Sequence, residues 1–178
     1  MKPIMTANQV GKAFDGLYQA VVSHLPEDRR IAVVGVRTRG EVLARRFVDR
    51  LAKDAPDLSV DFGILDITFY RDDLSRRRGV PMVRATEIDF DLDDAWVLLI
   101  DDVIETGRSV RAALDALHDF GRPKFVRLAV LIDRGGRELP IAADFVGKKH
   151  KAPHGERIQL KLKETDGQES AYLVQPGE

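Results

Sequence analysis

The chain has 178 residues, of which 44% are hydrophobic and 32% charged, a composition typical of one soluble globular domain. Its 29 acidic and 28 basic residues nearly cancel, so the net charge gives no general attraction to nucleic acid or to a membrane surface. The absence of cysteine excludes disulfides, thiolate catalysis and Cys-ligated metals, and it suits a reducing compartment. The first residues lack the apolar core of a signal peptide, and no segment approaches the roughly 18 apolar residues of a membrane span. We therefore predict a cytoplasmic protein.

Helical and strand patterns alternate along the chain. Thr6 and Gln9 have the spacing of a capping box, and the apolar residues after them recur at helical spacing as far as Leu25. The apolar runs typical of buried strands are "RIAVVGV", "SVDFGILDITFY", "AWVLLID" and "KFVRLAVLID". Helical patterns follow the first and third of these runs, as "EVLARRFVDRLAK" after Gly40 and "SVRAALDALHDF" before Gly121.

This alternation predicts an α/β fold with a central parallel sheet flanked by helices. Ligands bind at the carboxyl ends of such strands, and three of the predicted ends carry polar loops, "RTRG", "IDDVIETGRS" and "IDRGGRE". The stretch between Tyr70 and Phe90 is too charged for a core, which predicts a flexible flap or hairpin loop. The last predicted element is a C-terminal β-hairpin that turns at Asp166 and Gly167.

Two adjacent aspartates, Asp101 and Asp102, come at the end of the third apolar run. Two carboxylates about 5 Å apart repel each other by roughly 3 kcal/mol at an effective dielectric constant near 20. We expect both to lie where the sheet ends, at its ligand-binding edge. Sugar hydroxyls, a hydrated metal ion or basic side chains would satisfy them there.

The next segment, "ETGRS", has the features of a phosphate-binding turn. Gly107 permits a tight turn, while the N–H groups that begin the following helix and the hydroxyls of Thr106 and Ser109 are donors. An acidic pair followed by such donors predicts a ribose-phosphate site. The alternative is that Asp101 or Asp102 caps a turn and Thr106 or Ser109 caps the helix, with no ligand. No GxxxxGK[ST] motif occurs, and no GxGxxG motif follows the first strand, so a P-loop and a dinucleotide-binding fingerprint are excluded.

The stretch "VLLIDDVIETGRS" closely resembles the 5-phosphoribosyl-1-diphosphate (PRPP) signature of type I phosphoribosyltransferases. The stretches "VGVRTRGEVLARR", "LDITFYRDDLS" and "GRPKFVRLAVLIDRGGRELPI" resemble more narrowly the PyrR subgroup, whose members regulate pyrimidine operons and also act as uracil phosphoribosyltransferases. The likeness implies the type I phosphoribosyltransferase fold over a single domain. It also implies PRPP and uracil as substrates, UMP as product, Mg²⁺ as cofactor, an mRNA leader as a partner, and a homodimer or higher homo-oligomer.

The resemblance also implies a role for each matching position. The residues implied to bind PRPP or nucleotide are Thr38, Arg39, Asp101, Asp102, Val103, Ile104, Glu105, Thr106, Gly107, Arg108, Ser109, Arg134 and Ile158. Those implied to be catalytic are Arg39, Arg71, Asp101, Asp102 and Glu105. Asp101 and Asp102 would hold the ribose hydroxyls, directly or through Mg²⁺. Thr38 and Arg39 would lie in the pyrophosphate loop, which in this family often contains a cis or strained peptide, and Arg71 in the loop that closes over the site.

Glu105 departs from the subgroup's pattern, which usually has Tyr or Phe at this position. Purine phosphoribosyltransferases place an acidic residue there as a general base, so a purine substrate stays open as an alternative to uracil. The other interpretation is that Glu105 simply favours the positive start of the following helix.

Two further departures concern RNA. In "RGGRELPIAAD", Gly136 stands where the subgroup has His, and Ala142 stands where it has Arg. The first helix, "NQVGKAFDGLYQAVVSHL", lacks the subgroup's usual Arg-rich beginning. Phosphate contacts supply much of the affinity for RNA, so these losses predict weakened binding. The basic residues that persist nearby are Arg137, Lys148, Lys149 and Lys151. Our hypothesis is retained transferase chemistry with weakened or lost binding of the mRNA leader; a non-catalytic, UMP-sensing RNA-binding regulator is the alternative.

Overall fold

The computed structural model describes residues 1–73 and 84–175. The strands in chain order are β1 (Lys2–Met5), β2 (Ile31–Val36), β3 (Val60–Leu65), β4 (Trp96–Ile104), β5 (Phe125–Asp133), β6 (Phe145–Lys149), β7 (Arg157–Lys161) and β8 (Ser170–Val174). The helices are α1 (Ala7–Val22), α2 (Arg39–Asp54), α3 (Arg108–Leu117) and the short α4 (Lys163–Asp166). In the described part of the chain, no helix is both long and apolar enough to cross a membrane.

Five strands form one sheet in the order β3-β2-β4-β5-β6. Every neighbouring pair in it is parallel, which confirms the fold predicted from the alternation of strands and helices. The inner strand β2 is buried along its whole length, as expected for a strand covered on both faces. The apolar pattern does not predict the edge strand β6, because "FVGKK" is short and ends in two exposed lysines.

The central strands supply two apolar cores, one on each face of the sheet. Leu98 of β4 packs with α1 and α2 in the first core. Its neighbour Leu99 packs with α3 in the second. Both side chains are fully buried, and burying a leucine stabilises a fold by about 1.5–3 kcal/mol. The predicted capping box is also confirmed, because the Thr6 hydroxyl accepts the N–H of Gln9 and the Gln9 side chain accepts the N–H of Thr6.

A second, antiparallel sheet in the order β1-β8-β7 packs its buried residues into the first core. Strands β7 and β8 are the predicted C-terminal hairpin, with Lys161 opposite Ser170. Its connection is longer than a two-residue turn, because α4 comes before Gly167, which has a φ of 68°. Strand β1, from the segment "KPIM", is too short to show a strand pattern, and it pairs with β8.

Two element boundaries differ from the sequence-based expectation. The run "SVDFGILDITFY" is not one strand, since β3 ends at Leu65 and a 3-10 turn follows at Thr68–Tyr70. The Asp66 carboxylate accepts the N–H of Thr68 at 2.7 Å, and this local hydrogen bond turns the chain. The predicted flexible loop begins at this turn; residues 74–83 of it lie outside the described residues.

Helix α2 begins at Arg39 and therefore includes Gly40, which was expected to precede it. A Cβ atom at Gly40 would lie 2.5 Å from the Ile100 carbonyl oxygen and 3.0 Å from the Asp101 Cα. Both of these atoms belong to the backbone of β4, so neither can give way easily. Glycine thus allows the start of α2 to contact β4 beside the aspartate pair.

Candidate active site

Strand β4 extends beyond its neighbour on one side, and this extension carries the aspartate pair. Its pairing with β2 ends at Ile100, whereas its pairing with β5 continues until Ile104 faces Asp133. Asp101 and Asp102 therefore lie within β4, just beyond the point where its pairing with β2 ends, at the carboxyl edge of the sheet. Beyond Ile100 this side of β4 is bordered by the start of α2 and by a cavity that Asp101 and Asp102 line.

Both aspartates are held in surroundings that disfavour their charged forms. Asp101 is only 7% exposed, and its carboxylate accepts the N–H of Asp102 at 2.8 Å. Burial and the neighbouring Asp102 raise the pKa of Asp101 well above its usual range. Burial also raises the pKa of Asp102, although hydrogen bonds from Asp101 and Val103 and the charge of Arg39 oppose the increase. The pair is thus poised to gain stability from hydroxyl donors or a cation.

The turn after β4 presents the start of α3 to the same space. Gly107 has a φ of 90° and occupies the position before the helix, where neither Thr106 nor Ser109 stands. The first intrahelical acceptor is the Gly107 carbonyl, bonded by the N–H of Arg111 at 2.9 Å. The earlier N–H groups of the first turn therefore have no carbonyl partner within the helix. The N–H of Arg108 donates to the Thr106 hydroxyl at 3.3 Å, and the other N–H groups can bind an anion at the positive end of the helix dipole.

Two adjoining cavities, of about 560 and 380 Å³, meet at the aspartate pair. The predicted residues that line the larger cavity are Arg39, Arg71, Asp102, Val103, Ile104, Glu105, Thr106, Gly107, Arg108, Ser109 and Ile158. Thr38 and Asp101 line the smaller one. Of the predicted site residues only Arg134 lines neither cavity, so the structure brings nearly the whole set together.

Arg71, after β3, and Arg108, the first residue of α3, both lie beside the turn at Gly107. Arg71 donates to both carboxylate oxygens of Asp73 at 2.9 Å and to the Ser109 hydroxyl at 3.3 Å. Arg108 donates to Asp72 at 2.6 Å and to Glu138 at 2.7 Å. An incoming phosphate would compete with these carboxylates for the two guanidinium groups.

The predicted pyrophosphate loop divides between the two cavities. The peptide between Arg37 and Thr38 is cis, and Thr38 lines the smaller cavity. The Arg39 side chain lines the larger cavity and donates to Asp166 of α4 at 2.7 and 3.1 Å. The neighbouring Arg37 also lines the smaller cavity. Its guanidinium donates to the Ala85 carbonyl and forms ion pairs with Glu41 of α2 at 3.0 Å and with Glu87, between β3 and β4, at 2.6 Å.

Arg134 lies behind the wall of the larger cavity. It is 5% exposed and donates to the carbonyl groups of Pro153 and Glu156, at distances of 2.5–2.9 Å. Its Nε atom lies 3.5 Å from Oε1 of Glu105. Arg134 thus organises the segment before Ile158, and its contact with a nucleotide stays a prediction.

Several lining residues are not predicted from the sequence. Arg157 lines the larger cavity beside Ile158, and Asp66 and Arg84 line the smaller one. Asp66 could have been found, because it directly follows the end of β3 at the same edge of the sheet as the three predicted loops. Arg84 could not have been found, because it is one of several arginines in the polar stretch after β3 and nothing in the sequence distinguishes it from the others.

The donor set at this edge fits a magnesium ion that is shared with a substrate. Over residues 1–73 and 84–175, no group of three or more His, Cys, Asp or Glu side chains is arranged to hold a metal ion. Asp101 and Asp102 supply two adjacent carboxylates. Mg²⁺ is commonly bound by one or two carboxylates together with substrate phosphates, and such a site needs no closed cage of protein ligands.

Comparison with known proteins places this geometry in a family. The phosphoribosyl transferase domain family matches residues 4–159. The "Bifunctional protein PyrR" of Deinococcus radiodurans is 44% identical over 173 residues, covering 97% of this chain and 94% of that protein. The protein of the same name from Pelotomaculum thermopropionicum is 51% identical over 148 residues, covering 83% and 81%. A hypoxanthine phosphoribosyltransferase structure from Staphylococcus aureus has a TM-score of 0.69 at 16% identity, covers 98% of this chain and 91% of its own, and supports the fold alone. The chain belongs to the phosphoribosyltransferase family and, within it, to the PyrR proteins.

Proposed function

We propose that the chain is a uracil phosphoribosyltransferase, which transfers the phosphoribosyl group of PRPP to uracil and releases diphosphate. The observation that carries this proposal is the geometry of residues 101–109. There an acidic pair on the extended end of β4 is followed by a turn whose first N–H groups have no carbonyl partner within α3. Asp102 and the turn line the larger cavity, and Asp101 lines the adjoining smaller one. These two features match the two ends of a ribose 5-phosphate.

Each part of the two substrates can be assigned to a group of residues that line the cavities. The N–H groups and hydroxyls of residues 106–109 would bind the 5-phosphate, where each charge-assisted hydrogen bond contributes about 1.5–3 kcal/mol and the helix dipole about 0.3–1 kcal/mol. Asp101 and Asp102 would accept from the ribose hydroxyls. Diphosphate would occupy the smaller cavity beside Thr38, and the planar base would pack against Ile158 in the larger one. This arrangement holds both reactants in line at the anomeric carbon.

In the reaction, the bond from the anomeric carbon to diphosphate breaks, the bond to N1 of uracil forms, and the N1 proton of uracil is taken up by the departing diphosphate or by water. Negative charge grows on the leaving diphosphate, so basic groups at the cavity walls stabilise the transition state. Arg39 and Arg71 are the side chains that we assign to this role. Mg²⁺ that arrives with PRPP would neutralise further charge on the diphosphate, and Asp101 and Asp102 are the residues that would hold it.

The stem of the predicted closing loop is anchored to the phosphate-binding helix. Arg111 of α3 donates to the Tyr70 carbonyl at 2.9 Å. The next two residues, Arg71 and Asp72, contact Ser109 and Arg108. These contacts support the proposal that the loop closes over a bound phosphate and keeps water from the reactive centre.

Glu105 bears on the purine alternative. Its carboxylate faces the larger cavity but has a cationic partner, because the Arg134 guanidinium lies 3.5 Å away. The same guanidinium also donates to the carbonyl groups of Pro153 and Glu156, so it links Glu105 to the segment before Ile158. We therefore propose that Glu105 helps to fix Arg134 and the segment before Ile158, and that uracil is preferred to a purine.

A nucleobase assay tests the proposal. The pure protein is incubated with PRPP, Mg²⁺ and, in separate reactions, uracil, hypoxanthine or guanine, and nucleotide formation is measured by chromatography. We expect UMP as the main product and its loss in Asp102→Asn, with normal activity in Asp49→Asn, an exposed control on α2. Turnover of a purine base without turnover of uracil would overturn the proposed substrate.

We also propose that the protein binds an mRNA leader in response to UMP, with weakened affinity. Arg137 is not free to contact RNA as the sequence leads one to expect. It is 23% exposed and donates to Asp133 and to the Glu105 and Ile141 carbonyls, all at 2.8 Å. Lys148 and Lys149, at the exposed end of β6, remain as phosphate-binding candidates.

Titration of a pyrimidine-operon leader RNA, with and without UMP, tests this second activity. We expect weak binding that decreases with salt. Ala142→Arg, which restores a cation at an exposed position, should strengthen RNA binding. Ser59→Arg adds the same charge at an exposed position before the N-terminal end of β3, and it should leave RNA binding unchanged. Tight binding by the wild type would contradict the predicted weakening. From the family we also propose a cytoplasmic homo-oligomer, which light scattering would detect.

A further inference from the structure

The turn of the C-terminal hairpin is docked on α2 by two arginines. Arg39 and Arg46 are seven residues apart, about two helical turns, so they lie on the same face of α2. Arg46 forms ion pairs with Glu164 at 2.6 Å and with Glu169 at 2.8 Å. Arg39 forms a bidentate pair with Asp166, in which Nη2 and Nε donate to the two carboxylate oxygens at 2.7 and 3.1 Å.

The Asp166 carboxylate is the centre of this turn. Besides Arg39 it accepts the N–H of Leu162 at 2.9 Å and the hydroxyl of Thr165 at 2.7 Å. Burial alone would raise the pKa of Asp166, but these hydrogen bonds lower it to about 2. The carboxylate is thus a fixed and permanently charged anchor, 16% exposed, that the hairpin itself holds in place.

The two arginines differ in what lies on their other side. Arg39 lines the larger cavity together with Asp102. Arg46 lines neither of the two cavities of the candidate active site. The Arg46 contact therefore lies away from the candidate active site. The Arg39 contact joins the hairpin to the wall of the cavity where the substrate would bind.

We propose that Asp166 is a positioning residue for the transferase reaction: its bidentate ion pair holds the Arg39 guanidinium in the cavity wall beside Asp102. Arginine has a long side chain with many rotamers, and a planar anchor restricts the guanidinium to one orientation. From that orientation Arg39 balances the charge of Asp102 and faces the negatively charged substrate. The inference rests on the proposed function, because it assigns a task to Arg39 in that site.

The test compares two losses of charge within the same turn. Asp166→Asn removes the partner of Arg39, and the matched control Glu164→Gln removes one partner of Arg46. Binding of PRPP with Mg²⁺ is measured by calorimetry, and kcat and both KM values by the uracil assay. We expect Asp166→Asn to raise the Kd and KM for PRPP about tenfold, the loss of one charge-assisted interaction, with the KM for uracil unchanged. The control should stay within about twofold. Unchanged PRPP binding in Asp166→Asn, or an equal loss in the control, would overturn the proposal.

A double-mutant cycle separates positioning from general stability. In an Arg39→Lys background, which keeps the charge but cannot form the bidentate pair, Asp166→Asn should cause no further loss of PRPP affinity. An equal loss in both backgrounds would contradict the assignment. If Asp166→Asn does not fold, Asp166→Glu, which displaces the carboxylate by one methylene group, takes its place in the same comparison.

The calorimetric arm needs no nucleobase. If the wild-type chain binds PRPP but does not convert uracil, the proposed substrate fails while the comparison of Asp166 with Glu164 still decides the inference. If both variants behave like the wild type in PRPP binding and uracil is converted normally, the inference alone fails.

Discussion

Replacing Asp101 by asparagine should make the protein more stable and less able to bind substrate. Asp101 is buried, and both its burial and the charge of Asp102 disfavour the ionised carboxylate. Asn has nearly the same shape, and its Oδ1 atom can still accept the N–H of Asp102, as Asp101 does at 2.8 Å. The substitution therefore removes the unfavourable charge and retains the local hydrogen bond.

The size of the gain follows from the repulsion between the two carboxylates. For charges about 5 Å apart at an effective dielectric constant near 20 it is roughly 3 kcal/mol. This figure is an upper limit, because Asp101 and Asp102 are also adjacent in the unfolded chain. We expect the free energy of unfolding to increase by about 1–3 kcal/mol, which for a chain of this size corresponds to a rise in Tm of about 2–12 °C.

The gain should depend on pH. A carboxyl group whose pKa is higher in the folded than in the unfolded chain binds its proton more strongly when folded, so wild-type stability falls as pH rises from about 4 through the folded-state pKa. Asn has no such dependence. The stabilisation by Asp101→Asn should therefore be small near pH 4 and largest at pH 7–8.

Urea unfolding of wild type, Asp101→Asn and the exposed control Asp49→Asn at pH 4.5 and 7.5 measures this effect, because the first pH is close to the ordinary carboxyl pKa and the second is well above it. Calorimetry with PRPP and Mg²⁺ measures the functional cost in parallel. We expect weaker PRPP binding only in Asp101→Asn. If Asp101→Asn is less stable than the wild type at pH 7.5, or binds PRPP normally, the reasoning that the Asp101 charge costs stability and serves ligand binding is refuted.

The remaining predictions concern the turn, the base end of the cavity and the RNA surface. Gly107→Ala should lower stability by about 1–2 kcal/mol because of the φ of 90°, and should weaken PRPP binding by moving the N–H donors; unchanged affinity would count against the turn as a phosphate site. Glu105→Gln should retain uracil turnover with the same pH profile, since Glu105 is the partner of Arg134, whereas loss of one limb of the profile would indicate a general base. Arg137→Ala should lower Tm by leaving Asp133 and two carbonyls without their donor, and should change RNA affinity less than Lys148→Ala does.

The sequence was sufficient for strands β2 to β5 of the central sheet and for the signature, because these depend on local patterns. Buried parallel strands are continuous apolar runs, and the residues of the phosphate-binding turn are consecutive in the chain. The edge strands β1 and β6 escape such a pattern, because short strands with exposed lysines resemble loops. The end of β4 also escapes it, since its length is set by its pairing with β5 and not by its own residues.

The parts of the site that depend on distant contacts could not be predicted. Arg39 and Asp166 are 127 positions apart, and nothing near either residue indicates the pair. In "IDRGGRE" the sequence suggests that Arg134 and Arg137 are exposed cations, yet both donate hydrogen bonds to carbonyl groups of neighbouring loops. For arginines in polar loops, charge is visible in the sequence but the partner is set by the tertiary structure.

The central claim is that residues 101–109 bind a phosphorylated pentose. A crystal structure of the protein with UMP and Mg²⁺ tests it most directly. We expect the phosphate to accept N–H groups of residues 107–109 at about 2.7–3.2 Å, with the ribose hydroxyls against Asp101 and Asp102. UMP bound away from this turn, or bound with its ribose facing another wall of the cavity, would contradict the account.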